Sequence, residues 1–173
     1  MLSFIFVRMI YQGECKTRPF CIEMRHYVKQ AAMKFAECAK SAAAGKHQHL
    51  EVEISSLPDY INSSRQLLLR VWGNLLSNAL EYTPPGGEIH IFIKEENKML
   101  VFMIEDSGPG FTQEDIQRGT QQFYQSDKSR NSRNHYGVGL FMAESFVNSQ
   151  GGRLILENSV RTKGALVCLK INT

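Results

Sequence analysis

Asn74 and Asn78 stand four positions apart in an apolar-periodic stretch, so both carboxamides leave the same helix face, and Tyr82 extends that face by a further turn. A carboxamide oxygen is a hard, neutral ligand. Magnesium accepts such oxygens while keeping its waters and its bonds to phosphate. The same spacing also serves a capped or solvated helix face. Asp106-Ser107-Gly108-Pro109-Gly110-Phe111 follows an alternating run, so a carboxylate closes a strand with two glycines behind it. That carboxylate can accept a hydrogen bond from an exocyclic amine, while Gly108 and Gly110 let backbone approach a flat ring closely. A simple D-x-G turn reads equally well. Tyr136-Gly137-Val138-Gly139-Leu140 leads straight into helical character. The free N–H groups of such a helix start can hold phosphate oxygens, or the glycines can serve tight packing. Just before it, Lys128, Arg130 and Arg133 stand against Asp127, giving either cations for phosphates in a closed state or a solvated loop.

The elements that must position these groups follow from periodicity and breakers. Cys21 to Ala44 holds no Gly or Pro and repeats apolar residues at helical spacing, so one amphipathic helix is predicted there, closed by Gly45. Leu50 to Ile54 alternates apolar and acidic residues, a half-exposed strand that Pro58 ends. A second helix is predicted from Asn62 or Ser63 to Tyr82, stopped by Pro84-Pro85-Gly86-Gly87. Ile89 to Lys94 and Met99 to Glu105 read as an antiparallel hairpin. Residues 112–136 are polar, a long loop with a short helix at Thr112 to Gln117. Tyr136 to Ser149 reads as helix, and Leu154 to Glu157 with Ala165 to Ile171 as a closing strand pair. This order predicts an α+β fold, a two-layer sandwich with helices packed on one face of a mixed, mainly antiparallel sheet.

Composition sets the outer bounds. Of 173 residues, 43% are hydrophobic, 21% charged and 10% aromatic, which excludes disorder of the whole chain and makes one domain the expectation. The net charge of +3 is uneven: residues 1–49 hold eight Lys/Arg against three Asp/Glu, while residues 50–173 hold 12 against 14. No stripe of basic and aromatic residues appears, so nucleic acid is not an expected partner. Cys15, Cys21, Cys38 and Cys168 form no C-x-x-C, so neither zinc nor a disulfide scaffold is suggested and reduced thiols in a cytosolic setting fit. Arg8 interrupts the opening apolar run, which is too short to span a bilayer and lacks a cleavage site.

Taken together and in order, N-L-L-S-N-A at 74–79, E-Y-T-P-P-G-G at 81–87, D-S-G-P-G-F at 106–111, F-Y-Q-S-D-K-S-R at 123–130 and G-V-G-L at 137–140 resemble the nucleotide-binding domain of sensor histidine kinases. The resemblance covers residues 21–172 and implies the Bergerat fold of the histidine-kinase-like ATPases, with residues 112–136 as an ATP lid. It implies ATP and Mg²⁺ as cofactors. By motif, Asn78 would ligate Mg²⁺ and Asn74 would assist; Asp106 would bind the adenine amine in a pocket shaped by Gly108 and Gly110. Tyr82 would line the cleft, Phe123 and Tyr124 would pack in the lid, and Lys128 and Arg130 would approach the terminal phosphate. Gly137, Val138, Gly139 and Leu140 would form the phosphate-facing turn.

The implied activity is that of a protein-histidine kinase, with γ-phosphate passing to a histidine on a dimerisation domain and on to a response regulator receiver domain. Water-cleaving relatives place a Glu base where this chain has Asn74, so transfer is favoured over hydrolysis. No histidine here has the acceptor's context; His26 is followed by Tyr27-Val28-Lys29. Residues 1–20 therefore read as the end of a dimerisation helix and linker, with Phe4-Ile5-Phe6-Val7 as packing surface, and residues 21–173 as the catalytic domain. The expected parent is a homodimer anchored in the cell membrane, this domain being cytoplasmic. Departures from the family pattern are Glu81 for a basic residue, His135 for a glycine, Thr120 for a phenylalanine, Ala165 for a threonine and Ser64 for an aspartate. Alternatives are a degenerate nucleotide-binding or interaction module and a serine kinase acting on a sigma-factor antagonist.

Overall fold

The computed structural model describes residues 22–23, 47–58, 60–61, 63, 65–124 and 138–173. In chain order these form β1 (Ile22–Glu23), β2 (His49–Ile54), β3 (Tyr60–Ile61), α1 (Arg65–Tyr82), β4 (Glu88–Glu96) and β5 (Met99–Asp106). The remainder are α2 (Gln113–Arg118), α3 (Gly139–Ser149), β6 (Arg153–Asn158) and β7 (Ala165–Asn172). A five-stranded sheet runs β2-β4-β5-β7-β6. Only β2 and β4 pair in parallel, His49 against Glu88 through Ile54 against Ile93, and α1 is the crossover that such a pair requires. The other pairings are antiparallel, which gives the mixed, mainly antiparallel sheet that the sequence predicts.

Alternation puts one row of each strand toward the helices: Ile89, Ile91 and Ile93; Leu100, Phe102 and Ile104; Val167, Leu169 and Ile171. Against them α1 buries Leu68, Val71, Trp72, Leu75, Leu76 and Ala79, and α3 buries Ala143, Phe146 and Val147. Trp72 stacks on Phe102, ring centroids 4.7 Å apart and 18° from parallel. The row on β5 runs Leu100, Phe102, Ile104 and then Asp106, so an apolar file ends in a buried carboxylate facing the helices.

The last turn of α1 is held from outside. Gln48 Nε2 donates to the carbonyls of Leu80 at 3.0 Å and Thr83 at 2.5 Å, satisfying acceptors that a helix end leaves open. The Thr83 hydroxyl donates back to Ala79 O at 2.6 Å. Gly86 then turns the chain at φ +76°, in the left-handed region that favours glycine.

Several boundaries differ from the sequence reading. The helix predicted from Cys21 does not begin there: Ile22–Glu23 is a strand, Ile22 opposite Ile61 and Glu23 opposite Tyr60. Pairing with a segment far along the chain overrides local periodicity. Its remainder, residues 24–44, lies outside the described residues. β3 was not predicted, because two residues after a proline carry no pattern of their own. α1 starts at Arg65 rather than Asn62 or Ser63, and α3 at Gly139 rather than Tyr136. Cys168 is a free, buried thiol whose pKa is pushed up by that burial.

Trp72→Ala removes the largest fully buried side chain of the core and its stacking partner for Phe102. Urea unfolding should report a loss of about 3–5 kcal/mol; a loss below about 1 kcal/mol would show that the core closes without it.

Candidate functional site

The candidate residues lie on the second half of α1, the end of β5 and the start of α3. Asn74 and Asn78 are half-buried on α1, and the carboxamide of neither bonds to any described residue. Gly139, the first residue of α3, lies against them: a side-chain carbon placed there would sit 3.7 Å from Asn78 Nδ2 and 3.9 Å from Asn74 Cβ. Val138, the N-cap, supplies no side-chain acceptor, so α3 opens with N–H groups that its own cap does not cover. The side chains of Asn74 and Asn78 thus lie beside the first residue of α3.

Asp106 is the last residue of β5. Its Oδ1 accepts from the N–H of Gly108 at 2.8 Å and of Ala165 at 3.2 Å, while Oδ2 accepts from no described residue. One oxygen is committed to orientation and the other is available. Burial raises the pKa of this carboxylate, and the two backbone donors oppose the rise. Gly108 ties Asp106 to α1, because a side-chain carbon at 108 would lie 2.7 Å from Tyr82 O and 2.8 Å from Asp106 Oδ1. Only glycine fits there, and the fit brings Tyr82, Asp106 and Gly108 into one wall. Gly110 adopts φ +68°, with Asn158 Oδ1 2.7 Å from where its side chain would start.

Beyond it, Thr112 and Asp115 cap α2 reciprocally, and the Tyr124 hydroxyl donates to Asp115 Oδ1 at 3.0 Å. Desolvation and then that bond to Asp115 push the Tyr124 phenol up to about 12, while the Arg118 guanidinium lies 5.2 Å over the ring. Tyr124 is therefore packed against α2. Phe123 is not: it is 69% exposed at φ +64°, contrary to the packing expected of it. Its backbone lies in the left-handed region, uncommon for a residue other than glycine, and its ring stands in solvent. Lys128, Arg130, Gly137, His26 and His135 lie outside the described residues.

Residues 63–173 match the HATPase_c family, described as histidine kinase-, DNA gyrase B- and HSP90-like ATPases. The chain belongs to this family. Sensor histidine kinase SpaK of Bacillus subtilis is 41% identical over 106 residues, covering 61% of this chain and 23% of SpaK. This chain spans about a quarter of the length of the curated relatives it matches. The mycobacterial sensor histidine kinase MprB superposes with a TM-score of 0.71 at 21% identity, covering 84% of this chain and 95% of that one. Full-length ShkA in complex with AMPPNP gives 0.70 at 18% identity, covering 98% of this chain and 34% of that one. These likenesses establish the HATPase_c fold, with helices on one face of the mixed sheet.

Within this HATPase_c domain the sequence reading missed the groups that hold the end of β5 and the turn after it from behind. Thr162 Oγ1 donates to Asp106 O at 2.6 Å, and Asn158 both accepts from Phe111 N at 2.6 Å and donates to Phe111 O at 2.9 Å. Partners 56 and 47 positions apart leave no local spacing to find. Ala165, counted as a departure, contributes a backbone N–H that any residue but proline would supply. Among the described residues no helix is long and apolar enough to cross a membrane.

Because burial raises the Asp106 pKa in the fold, the folded chain holds that proton more tightly than the unfolded chain does, and stability falls as pH rises from the ordinary value of 3.8 through the raised one. Asp106→Asn keeps an oxygen for the Gly108 and Ala165 donors and removes the charge. Thermal unfolding at about pH 7 should find the variant at least as stable as wild type, with the gap closing below the ordinary carboxylate pKa. A variant that melts lower at neutral pH would contradict this.

Proposed function

We propose that this chain is the ATP-binding catalytic domain of a two-component sensor histidine kinase, which transfers the γ-phosphate of ATP to a histidine on a dimerisation domain. The observation that carries the reading is the convergence of the Asn74 and Asn78 face, the start of α3 at Gly139, and Asp106 with one oxygen committed and one available. ATP is the ligand of the HATPase_c family, and the solved relative in complex with AMPPNP supports a nucleotide in this cleft. Residues 21–173 are assigned to the catalytic domain and residues 1–20 to a dimerisation helix and linker. The receiver domain of a response regulator is the onward partner, and the parent is a membrane-anchored homodimer.

Asp106 Oδ2 would accept the exocyclic amine of adenine, its orientation fixed through Oδ1, while Gly108 and Gly110 keep side chains away from the ring. Tyr82 would line the cleft. The N–H groups opening α3 would face the phosphates, with Gly137, Val138, Gly139 and Leu140 forming that turn. Asn78 would hold Mg²⁺ with Asn74 assisting, since both carboxamides are half-buried, neutral and uncommitted among the described residues. When bound, the metal supplies charge neutralisation across the phosphates. Lys128 and Arg130 are assigned to the terminal phosphate, and Phe123 and Tyr124 to the lid. An amide at 74 cannot take a proton from water, whereas an acceptor imidazole brings its own lone pair. Positioning and electrostatics then do most of the catalysis, and the product is phosphohistidine rather than free phosphate. Relatives named as sensor histidine kinases favour this over a serine kinase or a degenerate module.

Supplying ATP, Mg²⁺ and a dimerisation domain with its acceptor histidine should yield acid-labile phosphohistidine; nucleotide binding without it would overturn the transfer. Asp106→Ala should weaken ATP binding by about 2 kcal/mol in calorimetric titration. Asn78→Ala should reduce Mg²⁺-dependent transfer more than Mg²⁺-free nucleotide binding, and equal losses would refute the metal role.

A further inference from the structure

The turn between β6 and β7 is closed on itself and fastened to the end of β5. Ser159 is 4% exposed; its Oγ accepts from the N–H of Arg161 at 3.2 Å and of Thr162 at 3.1 Å, and its own N–H donates to Gly164 O at 2.8 Å. From this rigid turn three groups reach residues 105 and 106. The Arg161 guanidinium donates through Nε and Nη2 to Glu105 Oε2 at 2.9 and 2.5 Å. Thr162 Oγ1 donates to Asp106 O at 2.6 Å, and Ala165 N to Asp106 Oδ1 at 3.2 Å. Successive strand residues point to opposite faces, so Arg161 grips the outer side chain while Ala165 grips the inner one.

The Thr162 bond fills a gap in the sheet. The β5–β7 register runs only as far as Glu105 opposite Leu166, one residue short of Asp106. Without a strand partner there, the Asp106 carbonyl depends on the Thr162 hydroxyl. Gly164 packs against the same carbonyl so closely that a side chain would overlap it, which leaves no slack in the turn.

We propose that Thr162 is a positioning residue for Asp106: by fixing its carbonyl, it fixes the angle at which Oδ2 meets a nucleotide base, and so sets preference for a base with an exocyclic amine over one with a carbonyl at that edge. This rests on the reading of Asp106 as the adenine contact. Thr162 acts through the Asp106 carbonyl, while its Oγ1 also accepts from Gly164 N at 3.4 Å within the turn.

The test uses the full chain with Thr162→Val, which keeps shape and loses the donor, and Thr162→Ser, which restores the donor. ATP and GTP affinities are measured by titration, and amide hydrogen exchange at Gly108 and Ala165 is followed without nucleotide. Thr162→Val should weaken ATP binding about three- to tenfold, narrow the ATP/GTP ratio by the same factor and speed exchange at both amides, with Thr162→Ser close to wild type. A wild-type chain that prefers ATP beside a Thr162→Val chain with the same preference and unchanged exchange overturns the positioning role alone. A wild-type chain that binds ATP and GTP alike removes the adenine role of Asp106, and with it this consequence of Thr162.

Discussion

Burying the apolar stripe of α1 against the sheet is the constraint on which the rest depends. Each helical residue advances about 100°, so committing Leu68, Trp72, Leu75, Leu76 and Ala79 to the core leaves Asn74 and Asn78 no freedom to face elsewhere. The Trp72–Phe102 stack fixes the height of the helix over β5. Gly108 then fixes the far end, since Tyr82 O lies where a side chain would begin. The site inherits its dimensions from the core rather than from its own polar contacts.

The same strand supplies both core and chemistry. Alternation along β5 sends Leu100, Phe102 and Ile104 inward and must send Asp106 inward as well. A carboxylate at that position is costly to bury, and the Gly108 and Ala165 N–H groups offset only part of the cost. Oδ2 gains no donor among the described residues, so the carboxylate sits in the fold at a net cost to stability.

Much of this was legible in the sequence where the signal was local. The Pro84-Pro85-Gly86-Gly87 stop, the hairpin of β4 and β5, and the turn at Asp106 each rest on neighbours within a few positions, and each lies where the sequence placed it. Asn74 and Asn78 were recognisable because one helix sets their spacing. What escaped was non-local: β1 with β3, Gln48 on the end of α1, Asn158 on Phe111 and Thr162 on Asp106. Gln, Asn and Thr occur in every loop, and nothing in their surroundings marks which will reach a backbone group dozens of residues away. The helix read from Cys21 fails at its start for the same reason, since Ile22 finds its partner at Ile61.

Among the described residues the outer strands of the sheet are also its shortest, six residues each in β2 and β6 against nine in β4 and eight in β5 and β7. Exposed Glu51 and Glu53 stud one of them, and exposed Arg153 and Glu157 the other. Unpaired strand borders invite strand-to-strand joining between copies, and brevity with alternating charge is how natural sheets resist it. The acidic residues of β2 thus act twice: they solvate one face of a half-buried strand, and they make its outer border a poor template for aggregation.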